Sequence, residues 1–325
     1  MTADGGNALS EPAFCLFASE ALAKRTWALL DEIPGVRENK DPECLHRMRV
    51  ASRRFRNALF LFAGCFPGED LKRWEKEARR VGRTLGEARD ADVQAASVAA
   101  ILSGVKEARL RPGIARLLLR LSQRRDMLQE GVLEALGRLE QGPLKNDLPE
   151  ALRALSVRMR LACPGEDADF VRREALALLT RRVAELEVFD SVAGHPERVE
   201  ELHAMRIAAK RLRYTLEIFR PLWGEETSGF VDKLKELQDL LGEIHDCDVW
   251  AAWLPLFLEK ERRRAARYFG HARAFARLKP GIEFLQEEFR RRRTGRFKDF
   301  GAFWKTSTQG AGWRNLLEAL GGKGP

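Results

Sequence analysis

The sequence predicts an all-α protein built as two tandem, pseudo-symmetric helical bundles. Three observations carry this. Strand signals are sparse: 7 Ile, 9 Thr and 2 Tyr, with no alternating apolar–polar run. Ala, Leu, Glu and Arg dominate, and these side chains lose little freedom on entering a helix. Two motifs also recur in order. Residues 45–62, LHRMRVASRRFRNALFLF, match residues 202–219, LHAMRIAAKRLRYTLEIF, at nine of eighteen positions. Residues 85–96, LGEARDADVQAA, match 241–252, LGEIHDCDVWAA, at eight of twelve. The offsets are 157 and 156, and Leu22-Ala23-Lys24-Arg25 echoes Leu179-Thr180-Arg181-Arg182 in the same register. Two ordered matches at nearly one offset indicate a tandem duplication. The expected organisation is a disordered terminus over 1–12, repeats over 13–163 and 168–318 that together form one domain, and a flexible tail over 319–325.

Helix breakers set the elements. Ile33-Pro34-Gly35 is expected to end a first helix. Asp41-Pro42 opens the second, with Asp41 as N-cap and Pro42 at the first helical position. Gly64–Gly68 closes it. A long helix follows over Glu69–Leu102, then one from Pro112-Gly113 to Gly142-Pro143, and a shorter one over Leu148–Leu161. Pro164–Asp167 reads as a boundary between the repeats. Helices are expected near 168–190, 197–219, 226–253, 255–278 and 281–304, with one short helical piece in the Gly-rich tail.

Composition bounds the function. The 325 residues carry 57 Lys and Arg against 48 Asp and Glu, a formal net charge of +9. Hydrophobic residues make up 45%, enough for a core and too many for a disordered chain. No apolar run approaches the ~20 residues of a membrane span. Met1–Glu11 has neither the basic start nor the apolar stretch of a secretory signal. Cys15, Cys44, Cys65, Cys163 and Cys247 are odd in number and widely spaced, without a CxxC pair. Neither a disulfide framework nor a thiolate zinc site is expected, and a reducing, cytoplasmic setting follows. The basic charge points to a polyanionic partner or a membrane surface.

The repeated helix narrows that choice. At 100° per residue, Met48, Ala51, Phe55, Ala58, Leu59 and Phe62 form a core stripe. His46, Arg49, Arg53 and Arg56 lie opposite, within roughly an 80° arc. The second copy repeats the arrangement: His203, Arg206, Lys210 and Arg213 form the ladder, with Met205, Ala208, Leu212, Leu216 and Phe219 behind it. Each ladder is about 15 Å long by helical rise. Like charges so close repel, and no carboxylate interleaves them on that edge. A solvated face is the bland reading of one such run. Its repetition favours an anion with several charges lying along it, since Arg forks suit phosphate oxygens.

The second motif, LGE-x-x-D-x-D-V, has another character. Leu85, Val93, Leu241 and Val249 are expected in the core, and Gly86 and Gly242 at close helix approaches. Glu87, Asp90, Asp92, Glu243, Asp246 and Asp248 are too acidic for a phosphate surface. They are expected to pair with a neighbouring Arg ladder. A divalent ion held with His245 is the alternative. Arg116, Arg120 and Arg124 recur on one helix, and Arg262–Arg264 and Arg290–Arg293 are dense runs; each reads as a solvated face. The seven Trp read as packing residues rather than a base-stacking platform.

The pattern LHxMRVAxRRFRxxLxLF, then LGExRDxDV, then a second copy of both, resembles the CHAD family (conserved histidine α-helical domain) from about residue 13 to 318. The resemblance implies two helical bundles whose His-bearing helices face a central basic channel or groove that binds inorganic polyphosphate. It also implies association with polyphosphate granules. With no E-x-E-x-K signature, the chain reads as a stand-alone version without a triphosphate-tunnel domain. The family's residues carry over onto His46, Arg49, Arg53, Arg54 and Arg56, and onto His203, Arg206, Lys210, Arg211 and Arg213. Lys24, Arg25, Arg181 and Arg182 are further wall candidates. His245 stands where the first copy has Arg89, which leaves the role of that position open.

The expected function is non-enzymatic polyphosphate binding, with no cofactor, catalytic residue or metal ligand, and with polyphosphate and granule proteins as partners rather than a membrane. Two other readings stand beside it. A general polyanion or nucleic-acid binder shares the charge, but no nucleic-acid reading motif is present. A metal-dependent phosphohydrolase would use the His and Asp pairs.

Overall fold

The computed structural model describes residues 11–162, 167–308 and 312–322, mostly in helices joined by turns, short 3-10 segments and brief irregular stretches, with no strand among them. In chain order the helices are α1 (Pro12–Leu30), α2 (Ile33–Glu38), α3 (Pro42–Leu61), α4 (Gly68–Gly104), α5 (Arg111–Gln141) and α6 (Asp147–Ala162). They continue with α7 (Ala168–Glu187), α8 (Val199–Phe219), α9 (Ser228–Phe269), α10 (Lys279–Thr308) and α11 (Arg314–Gly321). Long helices dominate, as the composition requires. No helix among the described residues is long and apolar enough to cross a membrane.

Several boundaries differ from the sequence reading. The first helix ends at Leu30, and Ile33-Pro34-Gly35 opens α2 rather than closing α1. Proline is tolerated there because first-turn N–H groups have no intrahelical acceptor. Pro255 does not divide 226–278 into two helices; α9 runs through it. An interior proline costs about 3 kcal/mol. Here Trp250, Leu254 and Phe257 are buried on both sides of it, and their packing offsets that cost. Of the terminus expected to be disordered over 1–12, residues 1–10 lie outside the described residues and Pro12 opens α1; of the tail expected to be flexible over 319–325, residues 319–321 are helical and 323–325 lie outside the described residues. The boundary at Pro164–Asp167 falls largely outside the described residues.

The chain forms two compact units. The first comprises residues through Ala91 with Arg125–Leu179 and Tyr214–Gly224; the second comprises Asp92–Arg124, Thr180–Arg213 and the residues from Glu225 onward. Each unit therefore takes most of its residues from one half of the sequence and a portion from the other.

In the first unit α1 packs on α3 and α6. Phe14 and Phe17 of α1 meet Phe62 and Phe219 in an aromatic cluster, with Phe17 stacked on Phe219 at 5.4 Å. The same packing sets Cys15 beside Cys65, Cα atoms 5.4 Å apart, and they form a disulfide. Sequence spacing could not reveal this pair, which is 50 residues apart. Cysteine usage therefore no longer argues for a reducing setting. In the second unit α9 packs along α10, with Trp250 stacked on Phe289 at 4.8 Å. Ile114 and Leu117 of α5 join that core.

The tightest crossing in the second unit lies between Gly113 and Gly281. A methyl group on Gly113 would sit 2.1 Å from the Leu278 carbonyl oxygen, and one on Gly281 would sit 2.1 Å from that of Leu110. Only hydrogen fits on either side. Farther along α10, Gly295 faces open space. Gly281→Ala should therefore destabilise the protein by about 1–3 kcal/mol, as overpacking does. Gly295→Ala on the same helix should be neutral or stabilise by up to about 1 kcal/mol through helix propensity. Thermal melts of the two variants check the opposite signs.

Candidate functional site

Asp41 caps α3 as expected, accepting from the Glu43 N–H at 2.8 Å, and Pro42 opens the helix. The apolar stripe of α3 is buried through Met48, Phe55, Ala58 and Leu59. The ladder is not fully solvated on the far side, however. His46, Arg49 and Arg53 are half-buried, and Arg49 and Arg56 lie against α4.

Two glycines one turn apart on α4 make this possible. A methyl on Gly86 would lie 3.7 Å from Arg49 Nε, and one on Gly82 would lie 3.4 Å from Arg56 Nη1 and 3.0 Å from Ser52 Oγ. The guanidinium groups thus rest over a strip of bare backbone. Arg49 also donates to Asp90 at 2.7 Å, the pairing expected between the acidic motif and the ladder. The Arg53 guanidinium sits 5.1 Å from the centre of the Tyr214 ring, a cation–π contact. Burial, then the charge of Arg89, holds His46 below the ordinary histidine value, with Arg53 and Arg49 adding to the effect and Glu43 opposing it. Arg89 is thus the partner of the ladder histidine that sequence reasoning left without a role. Its Nε–H is buried and has no hydrogen-bond partner among the described residues.

Arg54 belongs to a different edge, because it lies about 80° around the helix from His46. It donates to Glu217 at 2.9 Å. Arg25 shares this group: burial, then the charge of Arg54, lowers its pKa, while Glu217 raises it. Lys24 is exposed on α1.

The second unit repeats the arrangement on α8 and α9. His203, Arg206, Lys210 and Arg213 are half-buried. A methyl on Gly242 would lie 3.7 Å from Arg206 Nε, matching Gly86 and Arg49. Where α4 has Gly82, α9 has buried Gln238, which donates to the Ala209 carbonyl at 3.1 Å. His203 and His245 approach Nδ1 to Nδ1 at 3.1 Å, with ring centres 4.4 Å apart. Burial, then the charges of Arg206 and Lys210, lowers the His203 pKa. His245 thus occupies the position that Arg89 holds in the first unit.

The acids of this copy turn elsewhere. Asp248 accepts from Arg293, and Glu243 accepts from Arg296 at 2.6 Å. Both arginines come from α10 rather than from the ladder helix. Arg211 and Arg181 are exposed, whereas Arg182 is 6% exposed and donates to both oxygens of Glu185 at 2.7 and 2.8 Å. Val93 and Val249, expected in the core, are 41% and 38% exposed. Eight residues past the core leucine, the helix has turned about 80° from it. Ala88 and Ala91, and Ile244 and Cys247, take the core positions instead. No group of three or more His, Cys, Asp and Glu is placed to hold a metal ion among the described residues.

Residues 20–255 match the CHAD domain. The chain belongs to the CHAD family. An uncharacterized protein of Mycobacterium tuberculosis (strain CDC 1551 / Oshkosh) is 28% identical over 205 residues, 63% of this chain. The matched region spans only 38% of that relative's length. The crystal structure of the CHAD domain from the plant Ricinus communis is similar with a TM-score of 0.62 and 23% identity, covering 91% of this chain and 93% of that one. PptA from Streptomyces chartreusis is similar with a TM-score of 0.54 and 17% identity, covering 88% and 99%. These two likenesses show the fold. The CHAD match ends at 255, while the Ricinus likeness extends over most of the chain, and α10 lies beyond the matched residues.

The two ladder histidines give a pH prediction. Their folded-state pKa values lie below the unfolded value of about 6.5. The folded protein therefore binds fewer protons than the unfolded chain, and stability is lost as pH falls through 6.5 toward the folded values. In low-salt melts without ligand, the midpoint should drop between pH 7.5 and 5.5. The drop should be smaller in a His46→Gln, His203→Gln variant.

Proposed function

We propose that this CHAD protein binds inorganic polyphosphate along its two basic ladders. One observation carries the reading: the same chemistry recurs in both units. Each ladder sets an arginine over a bare glycine and faces its histidine with a second cationic or titratable group, Arg89 or His245. We take this matched geometry as the product of a tandem duplication. A core explains conserved apolar positions, but it does not explain two sets of half-buried cations. A linear phosphate chain does, because it offers about one charge per unit along its length.

His46, Arg49, Arg53 and Arg56, with His203, Arg206, Lys210 and Arg213, contact the chain. Arg89 and His245 extend the two groups. Lys24, Arg25, Arg54, Arg181 and Arg211 contribute field from their exposed or half-buried positions. Arg182 acts at most indirectly, since its guanidinium is held by Glu185. Long chains are favoured over orthophosphate, because once one phosphate unit is held the next units meet the remaining cations of the same ladder at high effective concentration. Association with polyphosphate granules follows from that preference.

Three of the six motif acids are engaged by arginines: Asp90 by Arg49, Asp248 by Arg293 and Glu243 by Arg296. That pairing favours a positioning role for the acidic motif over catalysis. A nucleic-acid reading gains no support from the ladders, which present charge without aromatic side chains for stacking.

The test is calorimetric titration with long-chain polyphosphate, with double-stranded DNA and orthophosphate as controls. Arg49→Ala, Arg53→Ala, Arg206→Ala and Lys210→Ala together should abolish polyphosphate binding with helix content unchanged. Wild-type affinity should fall steeply with salt, as counterion release requires. Binding should also take up protons, because phosphate favours charged histidine, so affinity should rise as pH falls from 7.5 to 6. That rise should be weaker in His46→Gln, His203→Gln. Undiminished polyphosphate binding by the quadruple variant would refute the assignment.

A further inference from the structure

A second cationic site lies in the second unit, away from the ladder residues. Arg116 and Arg120 of α5 and Arg264 of α9 converge on one carboxylate, that of Glu261. Arg120 Nε donates to it at 3.1 Å, Arg116 approaches at 3.5 Å, and Arg264 donates as well. Glu261 is only 3% exposed, whereas the side chains of Arg116 and Arg264 are 41% and 43% exposed. One arginine would satisfy a buried carboxylate. Three leave two positive charges in excess, with most of their fifteen N–H donors unused by a group that offers about four acceptor sites. The buried Glu261 thus holds the guanidinium groups in place while neutralising only one of them.

These residues line a cleft of about 640 Å³, which also takes in Arg267, Tyr268 and Phe269. That is within the ~300–1,000 Å³ range of small-molecule sites. Its local charge is four arginines against one carboxylate. The partial negative charge at the α9 C-terminus offsets only about half a unit of this surplus. Leu278 lines the cleft too, and its carbonyl lies at the Gly113–Gly281 crossing, so one wall is fixed by backbone contact.

The remaining feature is aromatic. Tyr268 is 83% exposed and Phe269 55% exposed, with ring centres 4.8 Å apart at the end of α9. Two large rings presented to solvent beside four arginines are of no use to a bare phosphate chain. They suit a flat ring attached to phosphates, since a base can stack on them while arginine forks take the phosphate oxygens.

We propose that this cleft binds a nucleoside polyphosphate, its phosphates held by Arg116, Arg264 and Arg267 and its base set against Tyr268 and Phe269. The inference goes beyond polyphosphate binding and does not depend on it, because no ladder residue lines the cleft. The sequence marked Arg116, Arg120 and Arg262–Arg264 only as basic faces. Their convergence needed α5 and α9 to be packed together.

The experiment is calorimetric titration of the full chain with ATP, tripolyphosphate and adenosine. The variants are Arg116→Ala with Arg267→Ala, Tyr268→Ala with Phe269→Ala, Tyr268→Phe, and the quadruple ladder variant. The expected result is saturable ATP binding that weakens at least ~10-fold, or about 1.4 kcal/mol, in each of the first two. Tyr268→Phe and the ladder variant should retain wild-type ATP affinity. The loss in the Tyr268, Phe269 variant should be specific to ATP, with tripolyphosphate unaffected. Three results would overturn the proposal: no ATP saturation, ATP binding lost only in the ladder variant, or equal losses for ATP and tripolyphosphate on removing the rings. The exposure of Tyr268 and Phe269 makes their replacement safe for folding, and Tyr268→Phe guards against a merely structural effect.

Discussion

The arrangement depends on the seating of a cationic helix edge against the bare backbone of the next helix. Cations at i and i+4 repel by about 0.2–0.5 kcal/mol per pair at a well-solvated helix surface, and by several times more where water is partly excluded. His46, Arg49 and Arg53 are half-buried, so the cost lies between those limits. Gly86 and Gly242 leave room for Arg49 and Arg206 to lie against the neighbouring helix. Asp90 relieves one charge at one end of the first ladder. Burial, and after it the neighbouring cations, lowers the pKa values of His46 and His203 and favours their neutral forms. In the proposed binding, a polyanion would offset the repulsion and let the histidines charge. Ligand, proton and ladder are thus linked through one electrostatic balance.

The rest of each unit holds that edge in place. In the first, the aromatic cluster and the Cys15–Cys65 disulfide tie α1 to the end of α3. In the second, α10 packs along α9 and sends Arg293 and Arg296 to the acids of the repeated motif. The same motif therefore serves two local ends. Its first copy braces the ladder directly through Asp90, and its second anchors a later helix. Charge clusters on one chain also take different roles according to their partners. Arg290 and Arg291 are paired with Glu287 and Glu288 along α10, whereas Arg116, Arg120 and Arg264 outnumber the single carboxylate they share.

Much of this was legible in the sequence, for physical reasons. Asp41-Pro42 is a local cap and start signal, and it held. The apolar stripe of α3 follows from helical period alone, and it is buried. The glycines of the acidic motif marked close approaches, although what approaches is an arginine side chain. What could not be read was non-local. Cys15 and Cys65 meet through packing across fifty residues. Pro255 sits inside α9 because buried neighbours on both sides outweigh its local penalty. Val93 and Val249 were placed in the core by residue type, yet helical rotation carries them out of it. The role of position 89, and of His245 at its counterpart, required knowing which side chain it faces.

The most direct measurement is arginine-selective chemical modification read by mass spectrometry, with and without long-chain polyphosphate at low salt. The account predicts protection of Arg49, Arg53 and Arg206, while Arg263 and Arg290, whose side chains are 76% and 64% exposed on other faces, keep their reactivity. Protection spread evenly over all exposed arginines, or confined to Arg263 and Arg290 while Arg49 and Arg206 stay reactive, would contradict it.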